Sequence, residues 1–539
     1  MIRTGLLVVG GGPVGLSAAL LAHRFGLSCV LVERRPEVAP HPKARGVRNR
    51  AMELFRLWGV EERLLAGAPH RPHNGFVYCE SLSGQEYGRS PAPPESSEHS
   101  PTGDSRVPQD HLEGVLRAEL AGLRGVEARF GVELRSFAQD ATGVTADLHD
   151  PASGEDTRIR ADFMIAADGV ASGVRGRLGV AMAGDQLGYW QSVFWNGDIS
   201  RLTEHRTAIQ YLTAPAAGGS AQGFVTVAPV DGKERWITFR MLPEGTARPG
   251  ALTDEAAREL VTTAVGAPAQ EIEIVGTATY LVAAQVAERY RDGRVFLAGD
   301  AAHAFPPTGG FGLNTGVQDV HNLVWKLALV LQGAAPPALL DTYEEERRPI
   351  AASNARWSTA NADRFASVWQ RIRAGEALDD VLAGQRAHVG SLGRDLGFRY
   401  LSGALIPDGG QGEAIPASYA PSSTPGVRAP HVWITSEGRR CSTLDLFDTA
   451  FTLISRSRDW CADATAAATA CGVPLRTCLA GTDGFAVAED TFEAAYGLGG
   501  DGAVLVRPDG HVAWRTRRPP AQAEPGLREV FQRVLGVPG

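Results

Sequence analysis

The chain has 539 residues, 44% of them hydrophobic and 21% charged, a balance that excludes wholesale disorder and a length that corresponds to about three domains. The net charge is −8, which argues against a nucleic-acid-binding surface and against a polybasic membrane anchor. Six scattered cysteines (Cys29, Cys79, Cys441, Cys461, Cys471, Cys478) form no CxxC and no zinc-spaced cluster, so they read as reduced thiols of a cytoplasmic protein without a metal centre.

The N-terminus opens on Thr4 to Val9, an apolar run that reads as a buried parallel strand. The run follows Arg3 in the manner of a signal peptide, but three glycines break it at once, which favours a strand and turn. No stretch of about 18 apolar residues follows anywhere, so no segment is expected to span a membrane. Gly10-Gly11-Gly12-Pro13-Val14-Gly15 leads into a helical stretch, Leu16 to Phe25, and Leu27 to Glu33 is a second buried strand. Together they make a βαβ unit with G-x-G-x-x-G at its turn. In such a unit Gly10 allows the tight turn, Gly12 lets a pyrophosphate approach, and Gly15 lets helix and strand pack closely. Glu33 ends the second strand, where a carboxylate accepts hydrogen bonds from an adenosine ribose, and it argues against a 2′-phosphate.

Further along, Ser90 to Asp104 is rich in Pro, Ser and Glu and reads as an exposed loop. Leu112 to Leu123 has helical spacing, and Phe163 to Ala167 is an apolar strand ending in Asp168-Gly169. Residues 185 to 285 change character, with short aromatic and β-branched runs at Trp190 to Trp195, Thr207 to Leu212, Phe224 to Val227 and Arg235 to Met241. They predict an inserted antiparallel sheet. Arg294 to Ala298 returns to the buried-strand style and ends at Asp300. Gly309, Gly310 and Gly312 then clear space for a flat ring, and a long helix begins near Leu313-Asn314 with its dipole aimed at that space. Ile406 to Pro430 reads as a linker or wrapping arm, followed by a small α/β domain. Lysine is limited to Lys43, Lys233 and Lys326, which leaves few candidates for Schiff-base chemistry.

Taken together, G-x-G-x-x-G, then DG-x-x-S-x-V-R from Asp168 to Arg175, then GDAAH…P-x-G-G-x-G-x-N from Gly299 to Asn314 resemble the single-component FAD aromatic hydroxylases, the para-hydroxybenzoate and phenol hydroxylase group. The resemblance covers about residues 1 to 360. It implies an α/β fold: a Rossmann-like FAD-binding domain (1–74, 105–183 and 286–393) carrying an inserted antiparallel substrate domain (75–104 and 184–285). The C-terminal part (394–539) is similar to the thioredoxin-like tail of polyketide and indolocarbazole tailoring hydroxylases, through Leu444-Asp445-Leu446-Phe447 and the segment Val506 to Trp514. Lacking CxxC, this tail is expected to be structural or dimer-forming, in a monomer or homodimer.

The resemblance also implies roles. Cofactor contact falls to Gly10, Gly12, Pro13, Gly15, Glu33, Arg34, Arg45, Gln109, Asp168, Asp300, Gly312, Leu313 and Asn314. Pro307, Gly312, Leu313 and Asn314 would flank the flavin ring as the catalytic edge, and no base is assigned. The implied reaction uses bound FAD, transient NADPH or NADH, and O2. A flavin C4a-hydroperoxide would pass oxygen to a small-molecule aromatic or quinone substrate, and a polycyclic natural product is expected. A Baeyer–Villiger oxygenation of a polyketide ketone and a non-oxygenase flavoprotein are the alternatives. A flavin halogenase is disfavoured by the absence of its WxWxIP segment. Alternation along the inserted sheet makes Trp195, Tyr211, Phe224, Trp236 and Phe239 candidates for the substrate wall, although sheet core is the commoner fate of such residues. Arg240 is a candidate partner for an anionic substrate, and His303 a motif histidine with an equally good packing role.

Overall fold

The computed structural model describes all residues except 40, 42, 69–74, 94–95, 204–207, 214–223, 243–244, 267–270, 410–412, 482–483 and 538–539. Thr207, at the head of one expected strand, lies outside the described residues, and the rest of that strand is Gln210–Thr213.

The continuous apolar runs become the middle of a doubly covered sheet. Its main path is Arg291–Asp292, Val295–Leu297, Glu155–Ala166, Ile2–Val9, Cys29–Glu33 and Val126–Phe130, and the last five strands are parallel. Leu6, Leu7 and Val8 have no exposed surface, as expected of strands buried on both faces. The Pro13–Arg24 helix packs between the Gln109–Leu120 and Gly312–Leu331 helices. Every strand end that carries a motif acid, Glu33, Asp168 or Asp300, therefore opens on the same carboxyl edge of the sheet, where ligands of open α/β folds bind.

The second sheet has eight strands, in the order His303–Ala304, Glu273–Ala287, Met182–Asn196, Arg235–Met241, Val225–Pro229, Gln210–Thr213, Phe76–Cys79 and Glu86–Arg89. One face covers the Asp254–Val265 helix through Val193, Trp195, Tyr211, Val227, Trp236, Ala257 and Val261. The other face looks back to the first domain. Part of it, Phe76, Tyr78, Leu212 and Phe224, packs on Phe365 and Trp369 of the 33-residue Thr342–Ala374 helix.

The C-terminal sheet runs Leu475–Leu479, Phe451–Ser455, Ala503–Val506 and Val512–Thr516, the first pair parallel and the others antiparallel. Trp460, Val530 and Phe531, from the Arg458–Cys471 and Leu527–Val534 helices, pack on one face. Phe492 and Tyr496 pack on the other. This is a thioredoxin-like layering, and all six cysteines are free. The expected arm is tied down by backbone bonds from Ile406, Gly426 and Ala429 to Ala513, Val512 and Gly510.

The expectation of an exposed loop at Ser90–Asp104 is corrected. Ser90 and Ser100 are buried. Ser96 donates to Asn49 Oδ1 and Ser100 to Glu53 Oε1, each at 2.7 Å, while Asp104 accepts the Asn49 N–H at 2.9 Å. Serine density here marks donors for buried acceptors rather than solvation, because an enclosed carboxylate must be hydrogen-bonded.

Candidate active site

The glycine loop is shaped by contact as well as by turning. Gly10 sits at φ +109°, and a Cβ there would lie 2.2 Å from the Ala167 carbonyl oxygen. A Cβ on Gly15 would lie 1.8 Å from the Gly10 carbonyl oxygen, whereas one on Gly12 would meet nothing within 4 Å. The loop is closed behind by Gly15 and open in front at Gly12, with Pro13 buried in the first helical turn. Glu33 is oriented by two backbone donors, Gly11 N–H to Oε2 at 2.7 Å and Arg35 N–H to Oε1 at 2.8 Å. Each oxygen keeps a lone pair for a hydroxyl donor. Arg34 beside it is exposed.

The two other motifs meet across from this loop. Arg175 ties them, donating to the carbonyls of Ala301 (2.9 Å) and Val170 (2.9 Å). Asp168 caps the short Gly173–Arg177 helix by accepting the Val174 N–H at 3.1 Å, and its enclosed Oδ1 has no partner. Asp300 lies in the Gly299–Ala301 turn, and a Cβ on Gly312 would come 3.8 Å from its Oδ1. Asp300 keeps solvent-exposed surface, but the protein atoms crowded around its carboxyl push it up, opposed by the neighbouring His303 and Lys43. The Gly312–Leu331 helix starts without any side-chain cap. Its first intrahelical partner is the Thr315 N–H, bonded to Phe311 O at 2.7 Å, so the N–H groups of Gly312, Leu313 and Asn314 have no partner among the described residues. The Asn314 side chain is fully committed. It accepts from the Arg48 N–H at 2.8 Å and donates to the carbonyls of Gly310 (2.7 Å) and Gly46 (3.2 Å). It braces the helix start, and only its backbone faces outward. Pro307 is exposed in the turn before it.

A dinucleotide fits this lining. Open glycine backbone, an oriented strand-end carboxylate, an accessible Asp300 and an uncapped helix N-terminus form one cradle, and each element matches a different part of FAD. His303 takes no place in it. It is fully buried, its Nε2 bonds Asp319 Oδ2 at 2.7 Å, and its ring stacks on Phe305.

His41 and the segment 43–48 link the two sheets. Gln109 clamps the segment, accepting the Ala44 N–H at 3.2 Å through Oε1 while its own N–H donates to Ala44 O at 2.9 Å. Its Nε2 is spent on Glu113 at 2.7 Å. Arg45 reaches the second sheet, donating to Pro229 O at 3.2 Å and lying 5.8 Å over the Phe239 ring. His41 bonds Ser192 Oγ at 2.8 Å and meets Phe194 edge-on.

These contacts decide which parity of the sheet faces the cradle. Phe194, Ala228, Ile237 and Phe239 form an apolar patch on that face. Trp195, Tyr211 and Trp236 are corrected: they point the opposite way, into the core over the Asp254–Val265 helix. Trp195 stacks on Trp236 and donates to Thr238 Oγ1 at 2.9 Å. Phe224 faces the right way but packs on Phe365 of the long helix. Arg240 is also on the far face, where it donates twice to Gln191 Oε1. His41, Phe194, Ile237, Tyr280 and Arg106 were not singled out by the sequence. Alternation carried the signal for Phe194 and Ile237, without saying which parity faces the cradle.

Known proteins match this architecture along its whole length. The FAD binding domain family matches residues 3–358, and the family described as aromatic-ring hydroxylase, C-terminal, matches residues 422–538. The chain is 37% identical to tetracenomycin A2 monooxygenase-dioxygenase of Streptomyces glaucescens over 99% of this chain and 98% of the relative. It is 38% identical to aklavinone 12-hydroxylase of Streptomyces purpurascens over 98% of each. Among solved structures, the flavin-dependent monooxygenase PieE in complex with FAD and substrate gives a TM-score of 0.92 at 32% identity, covering 100% of both chains. Aklavinone-11 hydroxylase with FAD and aklavinone gives 0.83 at 35%, covering 99% of both.

Proposed function

The chain belongs to the FAD-dependent aromatic-ring hydroxylases, and from that premise we propose that it hydroxylates a polycyclic aromatic or quinone intermediate of natural-product biosynthesis, using NADPH or NADH and O2. It works in the cytoplasm, as a monomer or homodimer. The observation that supports the reading is the uncapped start of the Gly312–Leu331 helix, where Asn314 holds the backbone of Gly46 and Arg48 while Arg45, between them, reaches the sheet face of Phe239.

FAD, when bound, supplies the activation of O2 for transfer of one oxygen atom to the ring, after reduction by the nicotinamide. The chain's residues hold and shield that chemistry. Glu33 accepts ribose hydroxyls, Gly12 and the helix start at Pro13 receive the diphosphate, and Asp300 accepts from the ribityl chain. The N–H groups of Gly312, Leu313 and Asn314 stabilise negative charge at the ring edge without having to reorganise. Gln109 and Asn314 fix the 43–48 segment and the helix start, so that Arg45 and Pro307 flank the ring space. Phe194, Ile237 and Phe239 keep water from the reacting carbon.

The test is incubation of the FAD-loaded protein with NADPH or NADH, ¹⁸O2 and a panel of hydroxyanthraquinones, read by product mass. One labelled oxygen on an aromatic carbon is expected. Nicotinamide oxidation with no labelled product across the panel contradicts the reading, and a ring-expanded product moves it to Baeyer–Villiger chemistry.

A further inference from the structure

Resting on the hydroxylase reading, we propose that Arg106, Arg45 and Tyr280 form an oxyanion site that selects aromatic substrates carrying an ionised oxygen, as a phenolate, enolate or carboxylate. Arg106 sits against the 43–48 segment, where a Cβ on Gly46 would lie 3.1 Å from its Nη1. Its charge acts on Arg45, as does Tyr280, and the register of the Glu273–Ala287 strand sets Tyr280 opposite Trp190, on the cradle-facing side of the sheet. All three lie deep among protein atoms yet keep accessible surface, as residues lining an open cleft do.

Their hydrogen bonding is unfinished. Among the described residues, Arg106 makes no ion pair or hydrogen bond, and the Tyr280 hydroxyl makes none. Arg45 makes one, to the Pro229 carbonyl. The carboxylate that faces Arg106, Asp104, is already engaged by Arg48 at 3.5 Å and the Asn49 N–H at 2.9 Å. Two guanidinium groups thus share a poorly solvated space without a carboxylate of their own. Burial and Arg106 pull the Arg45 guanidinium down to about 9, with Tyr280 opposing. Burial pushes the Tyr280 phenol up, so it stays a donor at neutral pH.

An incoming oxyanion would complete all three groups at once, in a setting where charge-assisted hydrogen bonds are strong. The rest of the ligand is set by the wall. Trp190, Phe194, Ile237 and Phe239 lie on the same sheet face, and Trp190 meets Phe239 at 6.3 Å between ring centroids. A flat aromatic body with its ionised oxygen towards Arg106 satisfies both surfaces.

The experiment needs no turnover. The FAD-loaded protein is titrated with rhein, a dihydroxyanthraquinone carboxylate, and with its methyl ester, and binding is read from the perturbed flavin absorbance. Wild type is expected to bind the carboxylate about tenfold or more tighter than the ester. Arg106→Met and Tyr280→Phe should each lower that preference and leave ester binding and FAD content unchanged, and Arg106→Lys should restore part of it. Equal binding of the two probes by wild type, binding of neither, or an undiminished preference in Arg106→Met overturns the proposal. Loss of FAD in Arg106→Met also overturns it and assigns the guanidinium to the flavin phosphates. The hydroxylase reading fails separately, through the ¹⁸O2 experiment: discrimination without oxygen transfer leaves the site standing and that reading wrong.

Discussion

In the seam between the first domain and the C-terminal sheet, Arg347, Arg428 and Arg507 have at most 1% of their surface exposed, and every one is paired. Arg507 holds Glu346 at 2.6 Å and Asp509 at 2.5 Å, Lys326 adds a second cation on Glu346 at 2.8 Å, Arg428 holds Glu53 at 2.6 Å, and Arg347 holds Asp319 at 2.8 Å. Near the cradle, Arg45 and Arg106 are also withdrawn from bulk water, and among the described residues neither is ion-paired, the Asp104 carboxylate that faces Arg106 being engaged by Arg48. The comparison separates two uses of the same residue type. A closed ion network ties distant chain segments into one body, because each charge would be costly alone. A charged group kept deep but unpaired is sustained by its opening to a cavity, and it gains its partner when a ligand arrives.

The largest expected effect lies in the seam. Arg507→Met leaves Glu346 with Lys326 and removes the guanidinium paired with Asp509 in a dry interior, and should cost about 3–5 kcal/mol of stability in urea denaturation. Arg106→Met, by contrast, should leave stability near wild type. A seam variant that unfolds no more easily than the cleft variant would break the distinction.

Next comes Gly312→Val. Its added atoms enter open space, the nearest neighbour of the new Cβ being Asp300 Oδ1 at 3.8 Å. The apoprotein should melt like wild type while FAD affinity falls by about tenfold or more, since the side chain occupies ring space. Unchanged FAD binding would place the ring elsewhere.

The two sheet faces give a smaller contrast. Trp195→Leu should cost about 2–3 kcal/mol of stability from its stacked core position and leave kcat/KM on a hydroxylated substrate unchanged. Phe239→Ala should do the reverse, raising KM with little change in the melting temperature. Matching effects would mean that the cradle-facing parity has been misassigned.

The smallest effect is the response to acid. Burial pulls His321, His388 and His511 down to about 3, against an ordinary 6.5. Each stays neutral in the fold while the unfolded chain takes up a proton, so stability present above pH 6.5 is lost as pH falls towards 3. Asp395 works against this. Burial and Asp104 push it up to about 7, so its contribution is full below its ordinary 3.8 and is lost as pH rises through 7. Three histidines outweigh one carboxyl, and the melting temperature should drop between pH 7 and 5. A rise over that window would contradict the burial of these rings.

The N-terminal βαβ unit was legible because parallel strands covered on both faces read as unbroken apolar runs, here Leu6 to Val9 and Cys29 to Val32. The motif acids were legible as strand ends. Two kinds of information were not. Alternation fixes which residues share a face but not which face meets the cofactor, so Trp195 and Trp236 were as good candidates as Phe239 until the contacts of His41 and Arg45 showed the side. Long-range pairing leaves no local trace either: Arg507 and Glu346 stand 161 residues apart and Arg428 and Glu53 stand 375 apart, and Arg106 looks like any loop arginine. The serines of 90–104 misled for the same reason, their acceptors being on a different element.

The account's central claim is that the three sequence motifs close on one FAD, with Asp300 facing the Gly312 helix start. The direct test is a fluorescence-quenching titration of the apoprotein with FAD, for wild type and for Asp300→Ala. One FAD per wild-type chain and binding weaker by about tenfold or more in the variant are expected. Equal affinity and stoichiometry in the two proteins would contradict it, and would separate the GD motif from the cofactor.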